Sequence, residues 1–452
     1  MESVAVPFER RVVLSLAALY AFRMLGLFML LPVLALYGDD YHHANPLLLG
    51  LALGAYGFSQ AILQIPFGMV SDRIGRKPVI LAGLLLFALG SVVAALSDSV
   101  YELIAGRFLQ GCGAISAAVM ALLTDLTSEE NRTKAMATIG ASIGVSFSLA
   151  LIIGPLLAAW GGISAIFWLT AALALIGIYI LYRLVPAVQR PPRTVREAGA
   201  VPRLFMQTLA NRELMRLNFG IFVLHFVLMA SFMVLPLILE EQLLIARERM
   251  WMVYLPVLAG AFVAMLPFII LAEKKRQIKP VFLASILLLA LMELALIVVP
   301  PHFVATLAAL FFFFMAFNLL EATLPSMVSK IAPVGAKGTA TGIYSSCQFL
   351  GAFGGGAAGG WMLQQYSATG LFALCALLVI LWFAIALMMK PPRFLASLLI
   401  PLQQHDSTLI AERLRGVTGV AEVLIIESER TVYLKVDPRH IDRKALTAII
   451  ES

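Results

Sequence analysis

Apolar runs of about 20 residues, the length a helix needs to cross a bilayer, recur along most of the chain and are broken by short polar stretches. They fall at 12–37, 46–67, 79–97, 101–125, 135–160, 163–185, 216–239, 250–272, 280–299, 302–329, 339–365 and 368–389. Few folds accept such a pattern. Lipid offers no hydrogen bonds, so a spanning segment must satisfy its own backbone as a helix or join a closed barrel. Runs this long and uniformly apolar select helices, and twelve of them predict twelve transmembrane spans. Composition agrees: 13% of residues are charged, against roughly 25% in an ordinary soluble domain. The first run is too long for the about 7–15-residue core of a signal peptide and lacks a small-residue cleavage site, so it reads as a retained helix.

The loops carry an orientation. Lys and Arg gather on the cytoplasmic side of membrane proteins. Here they occur before the first run (Arg10, Arg11), after the second (Arg73, Arg76, Lys77), after the fourth (Arg132, Lys134) and after the sixth (Arg190, Arg193, Arg196, Arg203, Arg212). They return after the eighth (Lys274, Lys275, Arg276, Lys279) and after the tenth (Lys337). The alternate loops, such as "GDDYHHANP" and "YSAT", have none, apart from Arg247 and Arg249 in "EEQLLIARERM". Both termini are therefore expected in the cytoplasm, as an even number of spans requires. Basic residues scattered in this way serve topology and give no nucleic-acid surface.

The stretch "PFGMVSDRIGRKPV" from Pro66 is echoed by "PFIILAEKKRQIKPV" from Pro267, with one residue inserted and Glu273 in the place of Asp72. Each follows the second run of a group of six, and the long polar loop at 186–215 divides the groups. The expected organisation is a six-helix half at 1–185, a central cytoplasmic loop at 186–215 and a second half at 216–390. Paired halves with a site between them are a common transporter plan. After Pro392 the polarity becomes normal, and 393–452 reads as a soluble cytoplasmic α+β module in the order β-α-β-β-α, ferredoxin-like in outline. Its helices are expected to open at Asp406 and Asp442, with a hairpin around Ser428-Glu429-Arg430. "PLQQHDS" stands where a copper-binding module of this shape would carry a cysteine pair.

Charge at membrane depth costs about 2.5–3.5 kcal/mol on insertion scales, so each instance asks for a reason. The first span carries Arg23, the fourth Arg107 and Gln110, the seventh His225, the ninth Glu293 and the tenth Asn318 and Glu321. A functional reading makes Arg23, Arg107, Gln110, His225, Asn318 and Glu321 a polar cavity between the halves. An acid there changes protonation, and arginines tune it or meet an anionic group. The structural alternatives are a Glu321–Arg107 pair, an Arg23 clamp, a packing His225, a Glu293 facing water and an Asp125 paired with loop arginines. Gly140 and Gly144 offer a close-packing surface, as does "GAFGGGAAGG" from Gly351, and Gly154-Pro155 offers a bend in the fifth span. Cys112, Cys347 and Cys375 lie in apolar runs and suggest neither a disulfide framework nor a metal site. No nucleophile–base pair or phosphate loop points to an enzyme, and no cofactor is expected beyond a proton gradient.

These residues resemble the major facilitator superfamily, in particular its drug/proton antiporter group. That family carries G-x-x-x-D-R-x-G-R-K/R between its second and third helices, met here by Gly68, Asp72, Arg73, Gly75, Arg76 and Lys77. The helix-four pattern R-x-x-Q-G is met by Arg107, Gln110 and Gly111. The antiporter pattern G-x-x-x-G-P-x-x-G-G of helix five keeps Gly154 and Pro155 but has Ala150, Ala158 and Ala159 for its other glycines. The first helix also lacks the membrane acid of several multidrug members. The resemblance covers about residues 10–390, and the appended module resembles that of bacterial inner-membrane transporters of the YajR type.

The resemblance implies an all-α, twelve-helix facilitator fold in the inner membrane, a lipid partner and a small-molecule substrate moved by alternating access. It also implies that the 68–77 motif is a conformational switch. Asp72 would meet the amino end of the eleventh helix near Lys337–Thr341, and Arg73 and Arg76 would hold carboxylates such as Asp125 or Glu129, shutting the cytoplasmic side. The leading function is proton-coupled efflux of small amphipathic compounds. The alternatives are uniport or symport of a small metabolite or anion through Arg23 and Arg107, and a membrane sensor or scaffold read out through the module. That module is itself a candidate to take a small ligand, an ion or a protein partner.

Overall fold

The computed structural model describes residues 2–127, 129–186, 202–298, 302–333, 336–391, 396–401, 413–414, 416–426, 431–436 and 440–442. Ten of its helices are long and apolar enough to cross a membrane. In chain order the helices are α1 (Glu2–Phe28), α2 (Leu34–Tyr37), α3 (Pro46–Ile74), α4 (Arg76–Ala95), α5 (Val100–Cys112), α6 (Ser116–Asp125), α7 (Glu129–Arg183) and α8 (Pro202–Ala210). The second half follows as α9 (Arg212–Phe232), α10 (Leu235–Leu237), α11 (Met250–Lys274), α12 (Ile278–Val298), α13 (Phe303–Ile331), α14 (Lys337–Gln365) and α15 (Ala368–Leu387).

Side chains fix several helix starts. Asn45 accepts from Leu48 N at 2.9 Å ahead of Pro46, whose missing N–H is an orphan at that position anyway. Ser99 and Glu102 form a capping box, and Ser367 accepts from Gly370 N. The motif loop is equally local in origin. Gly75 sits at φ 104°, outside the range of ordinary L-residues, and lets α3 stop and α4 start with a single residue between them. In the matching loop of the second half, Arg276 takes φ 58°.

Three runs differ from the continuous helices expected. The first breaks after Phe28: Pro32 has no N–H to give to the carbonyl four residues back, and the chain passes through turns before α2. The seventh breaks likewise at Met233-Val234, ahead of Pro236. The sequence behind the two breaks is itself repeated, Phe28-Met29-Leu30-Leu31-Pro32 against Phe232-Met233-Val234-Leu235-Pro236. The fourth run parts at 113–115, where a Cβ on Gly113 would stand 2.4 Å from Gly83 O.

In the long α7 the dihedrals stay helical through Gly154-Pro155 and leave the helix at Gly161 and Gly162. The expected bend is therefore displaced to the link between the fifth and sixth runs. Gly154 instead lies against Met29 O in the break of the first helix. Gly140 and Gly144 meet no neighbour within 4 Å, so the packing role expected of them is not seen.

α14 runs antiparallel to α3 and also packs along α9. Two faces of the bundle are distinguished below by their residues, the Asp39 face, where α3 begins, and the Asp72 face, where it ends. Near the Asp39 face the α3–α14 contact is backbone on backbone: a Cβ on Gly50 would stand 2.2 Å from Gly356 O, and one on Gly57 2.6 Å from Phe349 O. Further along, Ser346 Oγ donates to Ala61 O at 3.1 Å. At the far end a Cβ on Gly342 would have Ile65 at 4.0 Å as its only neighbour. The contact thus passes from backbone to side chains toward the Asp72 face.

In the appended module β1 (Ala396–Pro401), β2 (Val420–Ile426) and β3 (Thr431–Val436) form an antiparallel sheet in the order β1-β3-β2. The hairpin strands stand where the sequence placed them. The helices expected from Asp406 and Asp442 fall almost wholly outside the described residues.

Candidate transport pathway and its gates

One polar cluster spans three helices of the second half. Glu321 comes from α13, Gln348 from α14 and His225 from α9. Gln348 Nε2 donates to Glu321 Oε1 at 3.3 Å and lies 2.8 Å from His225 Nε2. His225 Nδ1 lies 3.3 Å from Ile221 O, and a carbonyl only accepts. Nδ1 therefore carries the hydrogen, and Nε2 of a neutral ring accepts from the Gln348 amide. His225 Nε2 and Glu321 Oε2 are 3.9 Å apart. Neither Glu321 Oε2 nor the buried Tyr344 hydroxyl, one turn from Gln348, has a hydrogen-bond partner among the described residues. The Glu321 side chain is 34% exposed, whereas His225 is buried. Asn318 stands three residues before Glu321 and is half-buried.

Aromatic rings close over this cluster toward the Asp39 face. Phe147 of α7 stacks on Phe317 at 5.8 Å, meets Phe314 at 6.1 Å and is met edge-on by Phe28 of α1 at 5.0 Å. The layer joins both halves, because Phe314 and Phe317 belong to α13. Its wide, rigid rings exclude water while leaving the carboxyl on the other side.

Arg23 and Arg107 do not reach this acid. Arg23 is 2% exposed; it donates to Ser116 Oγ at 2.7 Å and to Gln60 Oε1, and Gln60 in turn donates to Gln64 at 2.8 Å. Arg107 is 1% exposed and donates to Gln110 Oε1 at 2.9 Å and to the carbonyls of Ala52 and Leu53. Gln110 completes the chain by donating to Ser91 Oγ at 2.8 Å. Both guanidiniums pack over the Tyr56 ring, at 5.7 and 5.2 Å from its centre. The possible Glu321–Arg107 pair is therefore not formed, and the arginines are wired into the first half. Glu293, expected to face water, is fully buried, with Ser231 Oγ at 3.4 Å. Gln348, Tyr344, Gln60 and Gln64 are not among the residues expected from the sequence; for the three glutamines the available signal was the one that marked Gln110 and Asn318, an uncharged amide in an apolar run.

At the Asp72 face, Arg76 ties the motif together. It pairs with Asp72, donates to Ser71 Oγ at 2.8 Å and reaches Asp125 Oδ2 at 3.2 Å, so Asp125 does meet a loop arginine. Lys77 Nζ donates to Val185 O. Gly68 packs against Ala117, and Arg73 is exposed. The ion pair that Asp72 makes is thus inside its own motif and not at the amino end of α14. In the second half Glu273 takes Lys330 at 2.8 Å and Ser326 at 2.6 Å. The module touches the same region, where Lys435 Nζ donates to Lys330 O at 3.1 Å and Ala332 O at 2.5 Å, just past the end of α13. Among the described residues no three His, Cys, Asp or Glu side chains stand together as a metal site.

Ten long apolar helices, a polar cluster within them and a close glycine seam between α3 and α14 fit a membrane transporter. The chain belongs to the major facilitator superfamily. The Major Facilitator Superfamily profile matches residues 16–353 and 217–404, and the profile described as YajR YAM domain matches 398–452. The chain is 46% identical to the inner membrane transport protein YajR of Escherichia coli (strain K12), over 97% of this chain and 96% of that one. It is 36% identical to an uncharacterized transporter of Buchnera aphidicola, covering 77% and 89% of the two chains. Over 172 residues it is 30% identical to the multidrug resistance protein MdtL of E. coli. The human organic anion transporter MFSD10 shares the fold, with a TM-score of 0.61 at 19% identity over 84% of this chain and 99% of that one. These relatives are transporters, not enzymes.

Proposed function

We propose that this chain is a proton-coupled secondary transporter that exports small amphipathic compounds across the bacterial inner membrane by alternating access. Counting α7 as two spans and adding α14 to the helices that qualify by length and apolarity gives the twelve that this reading requires, with the Asp72 face and both termini in the cytoplasm. The sheet order β1-β3-β2 suits a ferredoxin-like module on that side. The name of the E. coli inner-membrane relative and that of MdtL support location and direction.

The observation that carries the reading is Glu321. Its side chain is part-exposed, but its Oε2 is buried and unpartnered, and the residue lies beneath an aromatic layer toward the Asp39 face. An anion at this depth costs about 2.5–3.5 kcal/mol, and taking up a proton or a cationic substrate relieves that cost. Proton and substrate then compete for one group, which is the requirement for exchange. The Gln348 amide serves either state. As placed, its NH2 donates to a carboxylate and a neutral imidazole; turned over, its oxygen accepts from the protonated forms of both. The buried, internally bonded Arg23 and Arg107 weigh against an anion path in this conformation.

The test is proton movement in proteoliposomes holding a pH-sensitive dye, challenged with ethidium, rhodamine 6G and, as an anionic control, carboxyfluorescein. The cationic probes are expected to drive proton movement through the parent protein and not through Glu321→Gln. Coupled proton movement that survives Glu321→Gln overturns the assignment.

A further inference from the structure

Arg247 breaks the loop pattern of the sequence: it is a basic residue on the face where Lys and Arg are otherwise scarce, so topology gives no reason for it. The structure supplies one. Its Nη1 donates to Leu36 O at 3.0 Å, and its guanidinium lies over the Tyr37 ring at 4.9 Å from the centre. Both partners belong to α2, in the first half. Its Nε donates to Glu240 Oε1 at 2.8 Å, within its own half, on the π-helical turn Ile238–Gln242. Leu36 O is one of the carbonyls that a helix end leaves without an internal donor, and a cation there is favourable.

We infer that Arg247 is a latch that holds the Asp39 face shut, acting against the Asp72 motif at the opposite face. α2 and α10 are the re-started tips of the repeated Phe-Met-x-Leu-Pro breaks, and they touch at this face. The same seam holds the Leu47 N to Gln364 Oε1 bond at 3.3 Å. When the halves part here, Leu36 and Tyr37 leave with the first half while Glu240 stays with Arg247. The Leu36 bond and the Tyr37 contact therefore exist in one state only, and a contact made in one state only is what shifts a two-state population. Glu240 keeps the guanidinium aimed, so the latch re-forms without a search.

The test is a spin-label distance measurement on the full chain in lipid nanodiscs. Labels go at Asp39→Cys and Glu241→Cys, exposed positions in opposite halves, with the three native cysteines replaced by alanine. Losing one charge-assisted hydrogen bond and one cation–π contact is expected to raise the ratio of open to closed distances at least about tenfold in Arg247→Ala. Tyr37→Leu, which keeps the hydrogen bond, is expected to shift the ratio in the same direction by less. A role confined to anchoring the loop would lower the melting temperature of Arg247→Ala and leave the distances alone; unchanged distances in both variants overturn the latch. The readout is geometry, so it stands or falls separately from proton coupling at Glu321.

Discussion

The seam between α3 and α14 makes a quantitative demand on one residue, Gly356. A Cβ placed there lies 2.6 Å from Gly50 O and 3.1 Å from Gly54 N, both backbone atoms of the other half. Ordinary contact begins at 3.4 Å. No rotamer change moves a backbone carbonyl, so α3 and α14 must separate by about 0.8 Å locally, the gap between 2.6 and 3.4 Å. Overpacking of this kind costs about 1–3 kcal/mol. Alanine's advantage over glycine inside a helix returns only about 0.5–1 kcal/mol. Gly356→Ala is therefore destabilising on balance, by up to about 2.5 kcal/mol from the same two terms. Gly144→Ala is the control. It makes the same change within a helix, at a glycine with nothing within 4 Å, and keeps only the gain. Thermal unfolding of the purified full chain, followed by tryptophan fluorescence, should order the midpoints Gly144→Ala above parent above Gly356→Ala. The strain also acts on one face only, so the Asp39–Glu241 spin-label distance should lengthen in Gly356→Ala and stay unchanged in Gly144→Ala. A Gly356→Ala protein as stable as Gly144→Ala refutes the backbone-on-backbone seam.

Asp72→Asn removes the acid of a part-exposed pair that bridges the end of α3 and the start of α4, worth only about 0.2–1 kcal/mol; membrane expression and melting should hold while substrate flux falls, and normal flux would remove the motif from the switching mechanism. Lys435→Met strips a cation from the carbonyls of Lys330 and Ala332, and should speed hydrogen exchange at Ile331 and Ala332 several-fold. The same contact has a pH signature. Burial holds the Lys435 ammonium below its usual 10.5, so the docked module binds fewer protons than the released one. Docking should therefore tighten as pH rises from the depressed value toward 10.5. Exchange protection there that is flat with pH, after correction for the intrinsic rate, would refute this.

Much of the scaffold was legible because lipid leaves the sequence little choice. Apolar runs must be helices, so most spans and the place of the motif loop between α3 and α4 could be read directly. What the runs could not convey is which faces touch. Gly140 and Gly144 have the spacing of a packing motif and meet nothing, while Gly50 and Gly356, far apart in the chain, meet backbone to backbone. The breaks near Pro32 and Pro236 were open to discovery through the repeated Phe-Met-x-Leu-Pro, but length alone suggested unbroken spans. Gln348 was missed for an energetic reason. An uncharged amide costs less than a charge in an apolar run, and no motif or neighbouring acid marks Gln348 as they mark Gln110 and Asn318, yet it is the residue that joins Glu321 to His225. Arg107 and Glu321 looked like partners because opposite charges in lipid want each other. The fold places them in different halves, where Gln110 and two carbonyls satisfy the arginine instead.

This arrangement constrains how the halves can rock. From Gly50 to Gly57 the nearest atoms across the seam are backbone atoms, which cannot give, so α3 and α14 cannot slide past one another there without collision. They can only part. Near Ala61 and Ile65 the contact passes to side chains, which adjust. Closing the Asp72 face while the tight segment stays together would overpack it, so closure there and separation at the Asp39 face must be one movement. Arg247 and the glycine seam then weight one end of that movement, and the Asp72–Arg76–Asp125 set stands ready to weight the other. A transporter needs these opposing weights nearly balanced, since a difference of about 2.7 kcal/mol would already leave one state about a hundredfold rarer. Each set should therefore be individually weak. Strengthening the Arg247 latch, no less than breaking it, should slow the cycle.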